Sequence, residues 1–220
     1  MIFYDHPQGS EAWLEARRAV ITGSRFKDCR DYKALTAADK KEGKTRGAPS
    51  AKLLGYAFDT ARERVGGKAP QKFQTSAMRA GTEQESIARL AYESKTGELV
   101  EETGFFTTDD RLFGVSVDGL VGDDGVIEIK TMVSSDTLFT AVVNGDTSEY
   151  TDQCNGAMWL LGRKWVDLIL WAPDLEPIGK HLTIHRIERN DEEIAALEAD
   201  LMAFAALVQD LESQLRRKAA

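Results

Sequence analysis

Apolar residues along the chain keep helical spacing as far as Lys95, then strand spacing, then helical spacing again. "SEAWLEARRA" opens on a Ser cap and predicts a short helix, and "TGSRFKDC" offers a second helix start. Ser50 predicts the cap of a helix carrying Leu53, Leu54, Ala57, Phe58 and Ala61 and ended by Gly66–Gly67. A further helix is predicted from Ser76 to Lys95, with Ile87, Leu90, Ala91 and Ser94 marking a largely apolar face. "LVEETGFFTT", "RLFGVSV", "DGLV" and "GVIEIKT" predict strands, with turns at Asp109–Asp110 and "GDDG". "SDTLFTAVVNG" and "SEYTDQCNGAMWLLG" return to helix, and "WVDLILWAP" and "KHLTIHRI" to strand. Residues 190–218 predict a long amphipathic helix, with Asn190 and Glu193 as its capping box. Its stripe is Ile194, Leu197, Leu201, Phe204, Val208, Leu211 and Leu215, read as core packing with an oligomer contact as the alternative. The order implies one α/β domain over 1–220, a central mixed sheet flanked by helices.

Size and composition fit that picture. The 220 residues are 42% hydrophobic and 29% charged, enough for one sizeable core. No run of about 18 apolar residues predicts a membrane span, and the N-terminus lacks the pattern of a secretory signal. Cys29 and Cys154 form neither a metal-binding spacing nor a disulfide framework, so a cytoplasmic location is expected. The net charge of −8 argues against nonspecific coating of nucleic acid. It is uneven: residues 25–46 carry eight Lys/Arg and four Asp/Glu, which leaves −12 for the remainder. This strip predicts a polyanion contact, against the alternative of a solvated loop, and Lys40–Pro49 predicts a mobile loop.

The candidate chemistry sits in "SVDGLVGDDGVIEIK". On a strand over 126–131, Glu128 and Lys130 share a face while Ile127 and Ile129 point the other way. The hairpin brings Asp118 beside Glu128. Two half-buried carboxylates repel, and a divalent cation such as Mg²⁺ or Mn²⁺ relieves the repulsion. An ammonium at Lys130 has no use in a metal store but suits phosphodiester hydrolysis, where it orients hydroxide and stabilises phosphate charge. The alternative is an exposed Glu–Lys pair on a solvated strand. "AGTEQESIARLAYE" adds a third acid, and spacing alone does not choose between Glu83 and Glu85.

"VDG…IEIK" resembles the PD-(D/E)xK nuclease motif, with Val117 where proline is usual. With "AWLEARRAVITGS", "AGTEQES", "SVDGL" and "YTDQCNGAMWLLGRKW" in order, nearly the whole chain resembles the phage lambda exonuclease and YqaJ-type viral recombinase family. The resemblance implies a restriction-endonuclease-like core and an Mg²⁺-dependent, processive 5′→3′ exonuclease on double-stranded DNA ends. It implies two metal ions, Mn²⁺ being the substitute. Their ligands are Asp118, Glu128, Glu85 and the carbonyl of Ile129, with Lys130 as catalytic lysine and Gln153 beside the metal site. Asn155 stands where a second glutamine is frequent. Arg17, Ser24 and Ser116 match a 5′-phosphate grip, and Met78 a wedge that splits the terminal pair. A ring-shaped homotrimer, a channel lined by Arg25, Lys27, Lys40, Lys41, Lys44 and Arg46 within 25–49, and a single-strand annealing partner are implied too. The rivals are a restriction-like endonuclease or junction resolvase, an inactive end-binding protein of the same fold, and, remotely, a metal store.

Overall fold

The computed structural model describes residues 1–68 and 76–218, the side chains of 76–78, 80 and 218 excepted. In chain order the elements are β1 (Ile2–Tyr4), α1 (Glu11–Arg17), β2 (Ile21–Thr22), α2 (Phe26–Cys29), α3 (Ala37–Lys41), α4 (Ala51–Arg64) and α5 (Ser76–Thr96). There follow β3 (Val100–Glu101), β4 (Phe105–Thr107), β5 (Phe113–Ser116), β6 (Gly119–Val121), β7 (Gly125–Thr131) and α6 (Ser135–Leu138). The chain ends with α7 (Thr151–Leu161), β8 (Trp165–Trp171), β9 (Leu182–Glu188) and α8 (Asp191–Lys218). A π turn over Phe139–Val143 continues α6.

The strands make a four-stranded sheet, β1-β4-β5-β2, and a five-stranded sheet, β3-β6-β7-β8-β9. Strands β7 and β8 run parallel in register from Gly125↔Trp165 to Thr131↔Trp171. A parallel neighbour needs a crossover, and α6, the π turn and α7 supply it. The other pairs of the larger sheet are antiparallel.

Alternation along β7 sorts its residues between two cores. Val126 packs with Leu168 and Leu170 against Cys154, Ala157 and Met158 of α7. Ile127 and Ile129 pack with Ile169 and Trp171 against Ala88 and Tyr92 of α5. Glu128 and Lys130 therefore share the α7 side with Val126. A third core joins α2, α4, α8 and β5 through Phe26, Leu53, Ala57, Leu197, Leu201, Phe204 and Val208. The stripe of α8 from Ile194 to Val208 is thus intramolecular core, while Leu215 at its end is exposed.

Two expectations are corrected. The inward face of α5 carries Ala88, Arg89 and Tyr92, whereas Ile87 and Leu90 are exposed. Tyr92 fixes this rotation by donating its hydroxyl to the buried Asp167 at 2.8 Å. The capping box at Asn190 is one-sided: its Oδ1 accepts from the backbone of Glu192 and Glu193, but the Glu193 side chain accepts from Asn155 instead. After α3, which Thr36 and Asp39 cap, the chain runs as an exposed loop to Pro49, where Tyr32 bridges to it. The short strand β1, which no alternation announces, pairs with β4.

Helix α7 approaches α2 so closely that a Cβ on Gly156 would lie 2.4 Å from the fully buried ring of Phe26. Gly156→Ala should therefore destabilise the fold by about 1–2 kcal/mol, the overpacking cost exceeding the gain in helix propensity. Urea unfolding checks this; an unchanged or raised midpoint contradicts it.

Candidate active site

Asp118 lies at the step from β5 to β6. Its N–H donates to Ile127 O at 3.3 Å, and its Oδ2 accepts from Ile129 N–H at 2.6 Å. The hairpin thereby ties one carboxylate to the centre of β7. Glu128, 4% exposed, accepts twice at one oxygen, from Lys130 Nζ at 2.7 Å and from Gln153 Nε2 at 2.6 Å. Lys130 also donates to Gln153 Oε1 at 3.1 Å. A lysine only donates and a carboxylate only accepts, so the amide must present its oxygen to one and its NH₂ to the other. The Tyr150 ring lies 5.6 Å from the same ammonium.

The electrostatics follow from burial. Asp118 is pushed well above the ordinary carboxylate range, first by desolvation and then by Glu128 and Glu85; Lys130 and the Ile129 N–H oppose this. Glu85 is raised too, by desolvation and by Glu128 and Glu102, with Arg89 opposing. Desolvation works against the Lys130 ammonium, but Glu128 and Asp118 outweigh it and hold its pKa above the usual value. Glu85 is half-buried on the inward side of α5 and Glu83 is exposed, which resolves what spacing leaves open.

Three carboxylates thus stand against one ammonium around β7, oxygen donors of the kind a hard divalent cation takes. Among the described residues, no three His, Cys, Asp or Glu side chains are grouped closely enough to hold a metal ion by themselves. Mg²⁺ is compatible with that, since it takes one or two carboxylates and completes its shell with water and substrate phosphate. Asn155 does not join the set; its amide turns to Glu193 of α8 at 3.2 Å.

A second cluster adjoins the first. Ser116 ends β5 two residues before Asp118, and Val117 between them is buried in the α7 core. Ser116 Oγ accepts from Arg17 Nη1 at 3.2 Å and from Trp13 Nε1 at 3.0 Å. With both acceptor positions engaged, its own O–H is left to donate outward. The Arg17 guanidinium lies 4.1 Å from the Trp13 ring centroid and 5.2 Å from that of Phe105, and burial lowers its pKa to about 10. Among the described residues no carboxylate pairs with it. Strand β2 runs parallel to β5, and Ser24 follows it, exposed, in the 3-10 turn Gly23–Arg25; no hydrogen bond among the described residues joins it to Arg17 or Ser116. Sequence reasoning missed Trp13; its signal was the i, i+4 spacing to Arg17 on α1.

The basic segment is largely self-paired. Arg25 pairs with Asp28 and lies over Tyr56, Lys27 pairs with Glu149, and Arg46 pairs with Asp200 over Tyr32. Lys44 pairs with Asp39 and Glu42, each at 2.9 Å. Lys40 and Lys41 on α3 are exposed, and no ion pair among the described residues engages them. Met78 falls in α5, with its side chain outside the described residues.

A mixed sheet with acids gathered at its central strand and helices on both sides is the restriction-endonuclease-like fold. The chain belongs to the YqaJ-like viral recombinase domain family, whose model matches residues 12–164 and so spans every cluster above. The alkaline exonuclease LHK-Exo of Laribacter hongkongensis is 33% identical over 96% of this chain and 98% of its own, with a TM-score of 0.78. LHK-Exo in complex with dAMP is 32% identical over the same shares, with a TM-score of 0.80. A phage-related exonuclease from Haemophilus somnus 129PT shares the fold at 17% identity and a TM-score of 0.66, over 92% of this chain and 97% of its own. No curated protein matches the chain.

Asp118 yields a prediction on stability. Its folded pKa exceeds its unfolded one, so between the two the native state holds more protons and stability falls as pH rises. In chelator, the stability advantage of Asp118→Asn over the parent should grow from about pH 5 to about pH 8. Urea titrations at the two pH values check this, and a constant difference contradicts it.

Proposed function

We propose that the chain is an exonuclease that degrades the 5′-ended strand of linear double-stranded DNA from 5′ to 3′. It releases mononucleotides and leaves a 3′ overhang for recombination. The observation that carries this reading is the adjacency of the Arg17–Ser116 grip to Asp118, Ser116 ending β5 and Asp118 standing two residues on at the step to β6. Similarity to an alkaline exonuclease along nearly the full length of both chains supports it.

Asp118, Glu128, Glu85 and the Ile129 carbonyl are the residues that would hold Mg²⁺, as two ions, or Mn²⁺ in its place. Bound there, the metal supplies a more acidic water and neutralises charge on the scissile phosphate. The chain's own residues do the positioning. Arg17 and the free O–H of Ser116, joined by Ser24 from the turn after β2, bind the terminal 5′-phosphate. The next phosphodiester then falls at the carboxylates. Glu128 and Gln153 take two of the three N–H bonds of Lys130, and the third is directed at the attacking water or a phosphate oxygen. Each cut exposes a new 5′-phosphate, which enters the same grip, so direction and repetition follow from one pocket.

Lys40 and Lys41, with Arg25, Lys27, Lys44 and Arg46, are the sequence-independent backbone contacts of this reading. A ring trimer that keeps them inside and the acidic remainder outside, a single-strand annealing partner for the 3′ tail, and a cytoplasmic setting belong to it as well. No helix among the described residues is long and apolar enough to cross a membrane.

Linear duplexes with 5′-phosphate or 5′-hydroxyl ends and closed circles, each with Mg²⁺, test the reading by nucleotide release. Turnover is expected on linear DNA alone, fastest from 5′-phosphate, and abolished by chelator. Asp118→Ala and Lys130→Ala should each cost at least about 100-fold while DNA binding persists. Arg17→Ala should erase the preference for 5′-phosphate. Cutting of circles points instead to an endonuclease, and no release from any substrate overturns the catalytic reading.

A further inference from the structure

Gln153 sits in the first turn of α7, and that turn has no capping side chain: Tyr150, at the cap position, makes no side-chain hydrogen bond. The turn is fixed laterally instead. Asp152, adjacent to Gln153, receives Arg30 Nη1 at 2.6 Å, and Nε of the same guanidinium lies 2.8 Å from Asp200 of α8. Arg30 follows α2 directly, and α2 is locked to α7 where Phe26 fills the space over Gly156. Around Arg30, a cleft of about 410 Å³ opens at the N-terminal end of α7, bounded by Lys27, Arg46, Lys52, Asp152 and Asp200.

Successive residues of a helix are rigidly linked. A rotation of the first turn that breaks Asp152 from Arg30 also carries Gln153 away from Glu128 and Lys130. We propose that Arg30 is a positioning residue for hydrolysis: by bridging Asp152 and Asp200 it holds α7 in the rotation that keeps Gln153 on Glu128 and Lys130. Arginine suits the task because its rigid fork spans two acids at once, as a lysine point charge does not. Arg30 touches neither the carboxylates nor the phosphate grip, and its effect passes through Gln153 alone. The proposal rests on the nuclease reading above.

The test measures steady-state release from a 5′-phosphorylated linear duplex with Mg²⁺, for the full chain and for Arg30→Met, Asp152→Ala and the double variant. Val208→Ala is the control. It opens a cavity in the core that joins α4 and α8, a core that holds no residue of the proposed site. Both single variants should lower kcat about tenfold, the scale of a small misplacement at a reacting centre. KM for DNA ends should stay within about twofold. The double variant should be no worse than either single one, because both remove the same Arg30–Asp152 contact. Val208→Ala should lower the melting temperature and keep kcat. If Arg30→Met does not fold, Asp152→Ala carries the test, since it leaves Arg30 on Asp200. Unchanged kcat in a folded single variant overturns the proposal, as does an equal loss in Val208→Ala. A rise in KM alone also overturns it and makes Arg30 a DNA contact. An inactive parent chain overturns the nuclease reading and this proposal together, and is told apart because no variant is then needed to see it.

Discussion

The structure is organised around one acidic side chain in an expensive place. Glu128 lies mid-way along a strand with cores on both faces, at 4% exposure. A buried charge is tolerated only when paired and hydrogen-bonded. Lys130 is the cheapest partner, two residues along and on the same face, but one ammonium leaves the carboxylate short of donors. Gln153 completes it, and to do so α7 must lie close over β7. That closeness requires the crossover between β7 and β8, the missing side chain at Gly156, and the seat of α2 beneath it. Asp118 has no such relief; one backbone N–H and a shared lysine leave it uncomfortable as an anion. The site is thus stable on one carboxylate and strained on its neighbour, the asymmetry a cation would remove.

The rotation of α5 shows what the sequence could and could not carry. Residues 83, 87, 90 and 94 form one face of that helix, and 85, 88, 89 and 92 another. Reading Ile87 and Leu90 as the buried face turns Glu83 inward. The structure buries Ala88 and Tyr92, and Glu85 comes in with them. The decisive signal is a polar one, the hydroxyl of Tyr92 seeking Asp167 from a strand some seventy residues on. Periodicity counts apolar residues and is blind to it. The β7 hairpin was legible for the opposite reason. Its alternation is strict, its turn is "GDDG", and its register follows from both. Trp13 escaped because its role lies in a contact with Ser116, 103 positions away.

Charge obeys a similar division. Counting residues locates a basic segment but not its free charge. Arg25, Lys27, Lys44 and Arg46 neutralise acids of their own chain, some contributed by α8 and by the turn before α7. The Lys27 and Lys44 pairs are exposed and each worth little, about 0–1 kcal/mol, and salt weakens them. A phosphate backbone competes for such lysines at little cost. Arg25 and Arg46 are held by the buried carboxylates of Asp28 and Asp200 instead. The exchangeable charge of the segment is therefore that of its lysines, Lys40 and Lys41 being outside any ion pair among the described residues.

In the proposed reading, direction of travel follows from the order of the two clusters along the chain. Ser116 ends β5, and Asp118 stands two residues on, at the step where the chain passes to β6 of the other sheet. A grip at one position and acids at the other would address neighbouring phosphates of one strand, and Arg17 would give the arrangement its selectivity for an end. An interior phosphate carries one charge and a sugar on both sides, whereas a terminal phosphate carries nearly two and is open on one side. A half-buried guanidinium with no carboxylate paired to it among the described residues, beside two aromatic rings, would gain most from the more highly charged and less obstructed group. Exchanging the chemistries of the two positions, with the fold unchanged, would leave the acids at the terminal phosphate and nothing to hold the end in place.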